Sequence, residues 1–290
     1  MNEQEIPVEP VDAAPEAKTY SQPAPDTTVP PKKKFDFQGN LVLAAGVGAL
    51  LWGLISALGT GWGFWEYTSG LKGVTWAFFL GIGAILFGLL FAWRAKKSIS
   101  PPPRMRRWAG MLAGAVYVSW VGTFLFAAFT VPAIHDVSTD LADPPAFQTL
   151  QLRADNLDNI PGADDEAMRG LTPQQRWVTV HQKAYGDIRS VRINEPVPSV
   201  IAKAVRLAEA RGWDVAASSP DLGHMEATET SAFFRFKDDV VLRVRSTDTG
   251  EGSVVDMRSV SRAGASDLGM NAKRVRSFLA DLTGTVTAAK

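Results

Sequence analysis

The sequence predicts an α-helical membrane region of three transmembrane helices followed by a small α+β domain, an antiparallel sheet with helices on one face. Three observations predict it. Three apolar runs before residue 132 each approach the ~20 residues a helix needs to cross a bilayer. Beyond them the pattern changes to one amphipathic helix, several short alternating segments and a closing helix. The alternating segments follow one another quickly, the last two across a hairpin-length loop, as in an antiparallel sheet.

The apolar region covers residues 37–131. Its runs are 41–59 (LVLAAGVGALLWGLISALG), 74–93 (VTWAFFLGIGAILFGLLFAW) and 108–131 (WAGMLAGAVYVSWVGTFLFAAFTV), and none contains Asp, Glu, Lys, Arg or His. Buried helices of a water-soluble core are rarely apolar all round three times in succession, so the runs are read as spans. Small residues recur every fourth position, as in Ala45, Ala49, Gly53 and Ala57, or Gly110 and Gly114. This spacing lets helix backbones approach closely, in a bundle packing on itself or in docking onto another membrane protein. Without ionisable groups the spans offer no marked ion pathway.

Orientation follows from the cations. Lys32, Lys33 and Lys34 precede the first span, and Arg94, Lys96, Lys97, Arg104, Arg106 and Arg107 surround the loop between the second and third. The loop between the first two spans has only Lys72, beside Trp62, Trp65 and Tyr67. The positive-inside rule puts the tail and the basic loop in the cytoplasm. Three spans then carry the C-terminal domain across, into the periplasm if the chain lies in an inner membrane. Residues 1–36, rich in Pro and acids, are expected to be a disordered cytoplasmic tail with a lysine triplet that meets anionic lipid. The opening MNEQEIPVEPVDAAPE is acidic and proline-rich, unlike a cleavable signal, so export is expected to use internal segments.

The formal net charge is zero and there is no cysteine. Disulfides, thiolate catalysis and Cys-based metal sites are thereby excluded. A balance so mild, with no basic face, argues against nucleic acid as a partner.

Residues 132–290 are read as the exported domain. Pro132, Pro144 and Pro145 break any continuing helix. Residues 148 to about 194 show no strong period. Residues 198–211 (PSVIAKAVRLAEAR) form an amphipathic helix with Val200, Ile201, Ala204, Val205 and Ala208 on one stripe, stopped by Gly212. Strands are expected over 213–218, 224–231, 239–246 and 252–261. Alternation sets Val240, Leu242 and Val244 on one face and Arg243 and Arg245 on the other, where Asp256 and Arg258 permit cross-strand ion pairs. A helix from Asp267 to about Leu282 closes the chain.

HDVSTDLADPPAF, KAYGDI, FKDDVVLRVRS and VDMRSVSRAGASDLGMNAKRVRSFL resemble the signature of the domain of unknown function 1499 family, from about Ile134 to Leu282. Gly186 departs from it, since a proline is expected there. The family has no agreed activity, so the resemblance implies a domain boundary and no catalytic residues. Membrane spans before the domain are common among its bacterial members.

The closing motif, SVSRAGASDLGMNAKR, invites two chemistries and fails both. Met270 and Asn271 stand where a P-loop requires Lys and Ser/Thr. The second glycine of a nucleophile elbow around Ser266 is one place late, and His135, His181 and His224 all precede the serine. Ser266 is expected to cap the helix and Asp267 to complement its positive end. Arg262, Asn271 and Arg274, with Ser266 and Asp267, are candidates either for an anion site or for an internal network joining helix to sheet. His135 and Asp136 are secondary candidates, for acid–base work or as groups of a turn leaving the bilayer. No metal-ligand spacing ties the histidines together, and no metal or cofactor is expected. The leading expectation is a non-enzymatic multi-span inner-membrane protein with a periplasmic binding or assembly domain, its partners the lipid bilayer and other envelope proteins. The alternative is an envelope hydrolase or lipid-modifying enzyme using His135 and Asp136 or the Arg262–Arg274 motif.

Overall fold

The computed structural model describes residues 35–99 and 103–284. The expected disordered tail and its lysine triplet lie outside the described residues, except at Phe35 and Asp36.

Three long apolar helices come first: α1 (Phe37–Gly61), α2 (Tyr67–Lys96) and α3 (Met105–Thr130). Each is long and apolar enough to cross a membrane. Each also begins before its expected run, because flanking polar and aromatic residues continue the helix. Asp36 starts α1 by accepting a hydrogen bond from the Gly39 amide at 2.8 Å. The small residues are used within the chain, and all three helices pack on one another. A methyl group on Gly46 would lie 1.9 Å from the Gly110 carbonyl oxygen, and one on Gly114 would lie 2.8 Å from that of Gly81. Ala49, Ala57, Ala77 and Ala84 are fully buried between helices. Such contact maximises dispersion where no hydrophobic force distinguishes helix from lipid.

The rest of the chain forms β1 (Asp136–Ser138), α4 (Pro173–Tyr185), β2 (Val191–Ile193), α5 (Val197–Ala210), β3 (Asp214–Ser219), β4 (His224–Thr230), β5 (Lys237–Ser246), β6 (Ser253–Ser261) and α6 (Met270–Thr283). The sheet is antiparallel, in the order β1-β6-β5-β4-β3, with β2 also on β6. β3 to β6 are a meander. β1 and β2 share the outer edge of β6, opposite residues 258–260 and 253–255 respectively. α5 crosses β3, β4 and β5, while α6 crosses β6, β1 and β2. Between sheet and helices lie Met225, Ala227, Val240, Leu242, Val255 and Met257 against Ile201, Ala204, Val275 and Phe278. Trp213 stacks on Phe278 with ring centres 5.0 Å apart.

Four features depart from the sequence reading. Residues 148–194 hold α4 and β2. α4 is announced by a capping box in which Thr172 and Gln175 bond each other's backbone, followed by proline in the first turn. β1 and β2 are three residues long, too short for alternation to show. α6 starts at Met270, since Gly269 adopts a left-handed backbone (φ 82°) that ends the preceding turn. Ser266 therefore does not cap α6, and its hydroxyl accepts from the Leu268 amide at 3.2 Å.

The fourth departure concerns the face of the sheet opposite the helices. The segment after β1 covers it, and Glu226 in the middle of β4 holds that segment down. Its fully buried carboxylate accepts hydrogen bonds from the amides of Gln148, Thr149 and Leu150 at 2.5–3.1 Å and from His224 Nε2 at 2.7 Å. Burial alone would raise its pKa, but the amides of Leu150 and Gln148, the His224 ring and the Thr149 amide together hold it below the usual glutamate range.

The β4–β5 loop touches the helices. Phe233 meets Trp120 edge-on at 5.8 Å, and Phe236 meets Tyr67 at 5.7 Å. Gly61 leaves room for the Phe233 carbonyl and the Arg235 side chain. Arg235 has a positive φ of 56°, a strained turn that sets the aromatic rings on either side of it.

Candidate functional site

The closing motif divides between the two faces of the sheet. Under α6, the fully buried Asn271 donates to the His135 carbonyl and to Ser261 Oγ, both at 2.9 Å, and accepts from Ser259 Oγ at 2.7 Å. Arg274 donates to Asp238 at 2.6 Å, to Ser259 Oγ at 2.9 Å, and to Glu229 and Asn271. Arg262 lies on the opposite face, with two bonds to Asp239 at 2.8 Å and one to Thr228 at 3.1 Å. Asp238 and Asp239 are adjacent in β5, so the pleat sends their side chains apart and takes each arginine with one of them. The groove beside Arg262 encloses about 10 Å³, room for one water at most.

Asp267 accepts from the amides of Gly269 at 2.8 Å and Asn271 at 2.7 Å. It therefore occupies the start of α6, where an anion would otherwise sit. Burial pushes its carboxyl above the ordinary range, against the pull of the two amides.

His135 and Asp136 do not act as a pair. Asp136 is fully buried and takes two bonds from Arg258, at 2.9 and 2.6 Å, and one from Asn156 at 2.5 Å. His135 Nδ1 lies 3.3 Å from the Ala265 carbonyl. Among the described residues no group of three or more His, Asp or Glu is arranged to hold a metal ion.

A further cleft lies elsewhere. With a volume of about 560 Å³, it opens beside the gap between β1 and β2 on the β6 edge, lined by residues 139–142, the end of α4, and Gly186, Ile188, Arg189 and Ser190. Its rear is braced by the sheet. Thr139 exchanges two hydrogen bonds with Met257 at 3.0 Å, and Ser190 donates to the fully buried Asp256 at 2.5 Å. Asp256 is also held by Arg243 at 3.2 Å and Arg245 at 2.8 Å, the cross-strand pairing the alternation allowed.

His181 lines this cleft and is fully buried. Its Nε2 accepts the Ser138 amide at 3.2 Å, while Nδ1 has no hydrogen-bond partner within the chain. Burial pushes its pKa down to about 4, so the ring is neutral and the Ser138 bond assigns its proton to Nδ1. Tyr185, edge-on to His181 at 5.6 Å, is held up at about 12 by burial and keeps its proton. Reading the sequence for motifs missed this site, because its residues come from two segments far apart in the chain, within 139–142 and 181–190. The available signal was that both overlap stretches on which the family resemblance rests, DVSTDLADPP and KAYGDI.

Fold and site define a chain with three membrane-compatible helices and a C-terminal α+β domain with a cleft of about 560 Å³ at the sheet edge. Residues 136–282 match the family model described as Protein of unknown function (DUF1499), and the chain belongs to that family. No curated protein matches the sequence.

Proposed function

We propose that the protein is a multi-span inner-membrane protein that presents its α+β domain to the periplasm as a binding or assembly module, with a non-enzymatic role in the cell envelope. The bilayer is its first partner and envelope components are its others. The observation that carries this reading is the seating of the domain on the helices. The Phe233–Phe236 loop packs on Tyr67, at the start of α2 away from the basic loop, and on Trp120, in the second half of α3. Aromatic side chains favour the boundary between hydrocarbon and water, and Trp62 and Phe64 are exposed at the same end. The basic residues Arg94 to Arg107 lie at the other end, as a cytoplasmic face requires. A domain held by rings at the interface keeps one stance over the membrane, which suits display more than free diffusion.

The chain has no cysteine, so single cysteines report cleanly. Thr249→Cys, in the β5–β6 loop, reacts with a membrane-impermeant maleimide in intact spheroplasts, and Ile99→Cys reacts only after permeabilisation. The reverse pattern overturns the orientation. Loss of function in a folded His135→Gln chain would transfer the reading to the enzymatic alternative.

A further inference from the structure

We propose that the cleft between α4 and residues 139–142 is a ligand site for a small amphipathic anion, a carboxylate or phosphate ester with an apolar body. The inference deepens the binding-module reading and rests on it only for the side of the membrane from which the ligand arrives.

The volume of about 560 Å³ falls within the roughly 300–1,000 Å³ of small-molecule pockets. The sign of the ligand follows from which lining charge is already compensated. Asp140 is bonded to Arg243 at 3.1 Å, lies 3.8 Å from Arg245, and accepts the amides of Ala142 and Asp143 at 3.1 and 3.0 Å. Both of its carboxylate oxygens are therefore engaged. Arg189 is the opposite case. Its exposed guanidinium donates through Nε to the Gly186 carbonyl at 3.0 Å, and no acidic partner reaches it among the described residues. A guanidinium with free donors can bind a carboxylate or phosphate bidentately.

His181 lies in the cleft wall with its ring fully buried. Because Nε2 accepts a backbone amide, the unpartnered Nδ1 is a donor without an acceptor within the chain. Leu141, Ala142 and Ile188 supply the apolar wall for the rest of the molecule. Ser190 is already committed to Asp256, so the arrangement favours retention of a ligand over attack on it.

The test uses the full chain in nanodiscs, with octanoate and octyl phosphate as probes and inorganic phosphate and octyltrimethylammonium as controls, all below micelle concentrations. Octanoate and octyl phosphate are expected to raise the thermal midpoint saturably and to shift the His181 Nδ1 resonance in a nitrogen-15 spectrum, and the controls to do neither. Arg189→Gln should weaken binding at least tenfold, while Ala142→Trp, an exposed position at the mouth, should abolish it. Equal responses to octanoate and octyltrimethylammonium, an unmoved His181 resonance, or unchanged binding by Ala142→Trp would each overturn the proposal. Phosphatidylglycerol discs separate the sources. A His181 shift there without probe identifies a lipid headgroup, and a shift only on adding probe identifies a soluble ligand. Failure of the cleft with normal cysteine labelling leaves the envelope reading intact, whereas reversed labelling with probe binding intact removes the compartment and keeps the site.

Discussion

Arg274 on α6 and Asp238 at the start of β5 are joined at 2.6 Å, with the arginine side chain 6% exposed and the aspartate 11%. Glu229, Ser259 and Asn271 complete the set around the guanidinium. The bond ties the closing helix to the centre of the sheet.

Arg274→Ala is therefore expected to destabilise the domain by about 3–5 kcal/mol, the cost of leaving a buried charge without its partner. Arg262, with 42% of its side chain exposed, contributes less, and Arg262→Ala should cost roughly 1–2 kcal/mol. Urea titration of the detergent-solubilised chain, followed by tryptophan fluorescence, separates the two. Equal losses would contradict the division of the motif between the two faces.

Glu226 should behave as the clamp on the segment after β1. Its folded pKa is depressed, so the stability it contributes is present above the ordinary glutamate pKa of about 4.3 and is lost as pH falls through the lower folded value. Glu226→Ala is expected to release residues 148–150, seen as rapid amide exchange there, at a cost of at least about 3 kcal/mol because the three amides lose their acceptor. Protection that survives the substitution would show that the segment is held by other contacts.

His181 gives a second pH dependence, in a different window. Its folded pKa of about 4 lies below the ordinary histidine value of about 6.5, so the unfolded chain takes up the proton first. Stability should fall as pH drops from about 6.5 towards 4, by at most roughly 3 kcal/mol from this group. His181→Asn should flatten that part of a stability-versus-pH curve without moving the more acidic loss assigned to Glu226.

In the helix bundle, Gly46→Leu should disrupt packing, because even a single methyl group there would lie 1.9 Å from the Gly110 carbonyl oxygen. Gly122→Ala meets nothing within 4 Å and should change stability by no more than about 0.5 kcal/mol. Thermal unfolding in detergent compares the pair. A tolerant Gly46 would mean that α1 and α3 are not in contact in the folded protein.

Much of this architecture was legible in the sequence, and the reasons are local. Runs such as 74–93 and stripes such as Val200, Ile201, Ala204 and Ala208 are long and periodic, so the solvent each face requires is written along the chain. Strands β3 to β6 and both flanking helices followed from that. β1 and β2 did not, since three residues carry no period, and α4 was announced only by its capping box. The closing motif could be found by its residue types, but not the arrangement of its partners.

The sequence by itself determined three apolar helices, the order of the main elements, the absence of cysteine chemistry and the family resemblance. Tertiary structure alone decided that Arg262 and Arg274 point to opposite faces, that Glu226 gathers three amides from a segment more than 70 residues away, and that His181 meets Thr139 and Arg189 in one cleft. The physical reason is range. Hydrophobic periodicity is set by neighbours along the chain, whereas the partners of a buried charge and the walls of a cleft are set by which distant segments the sheet brings side by side.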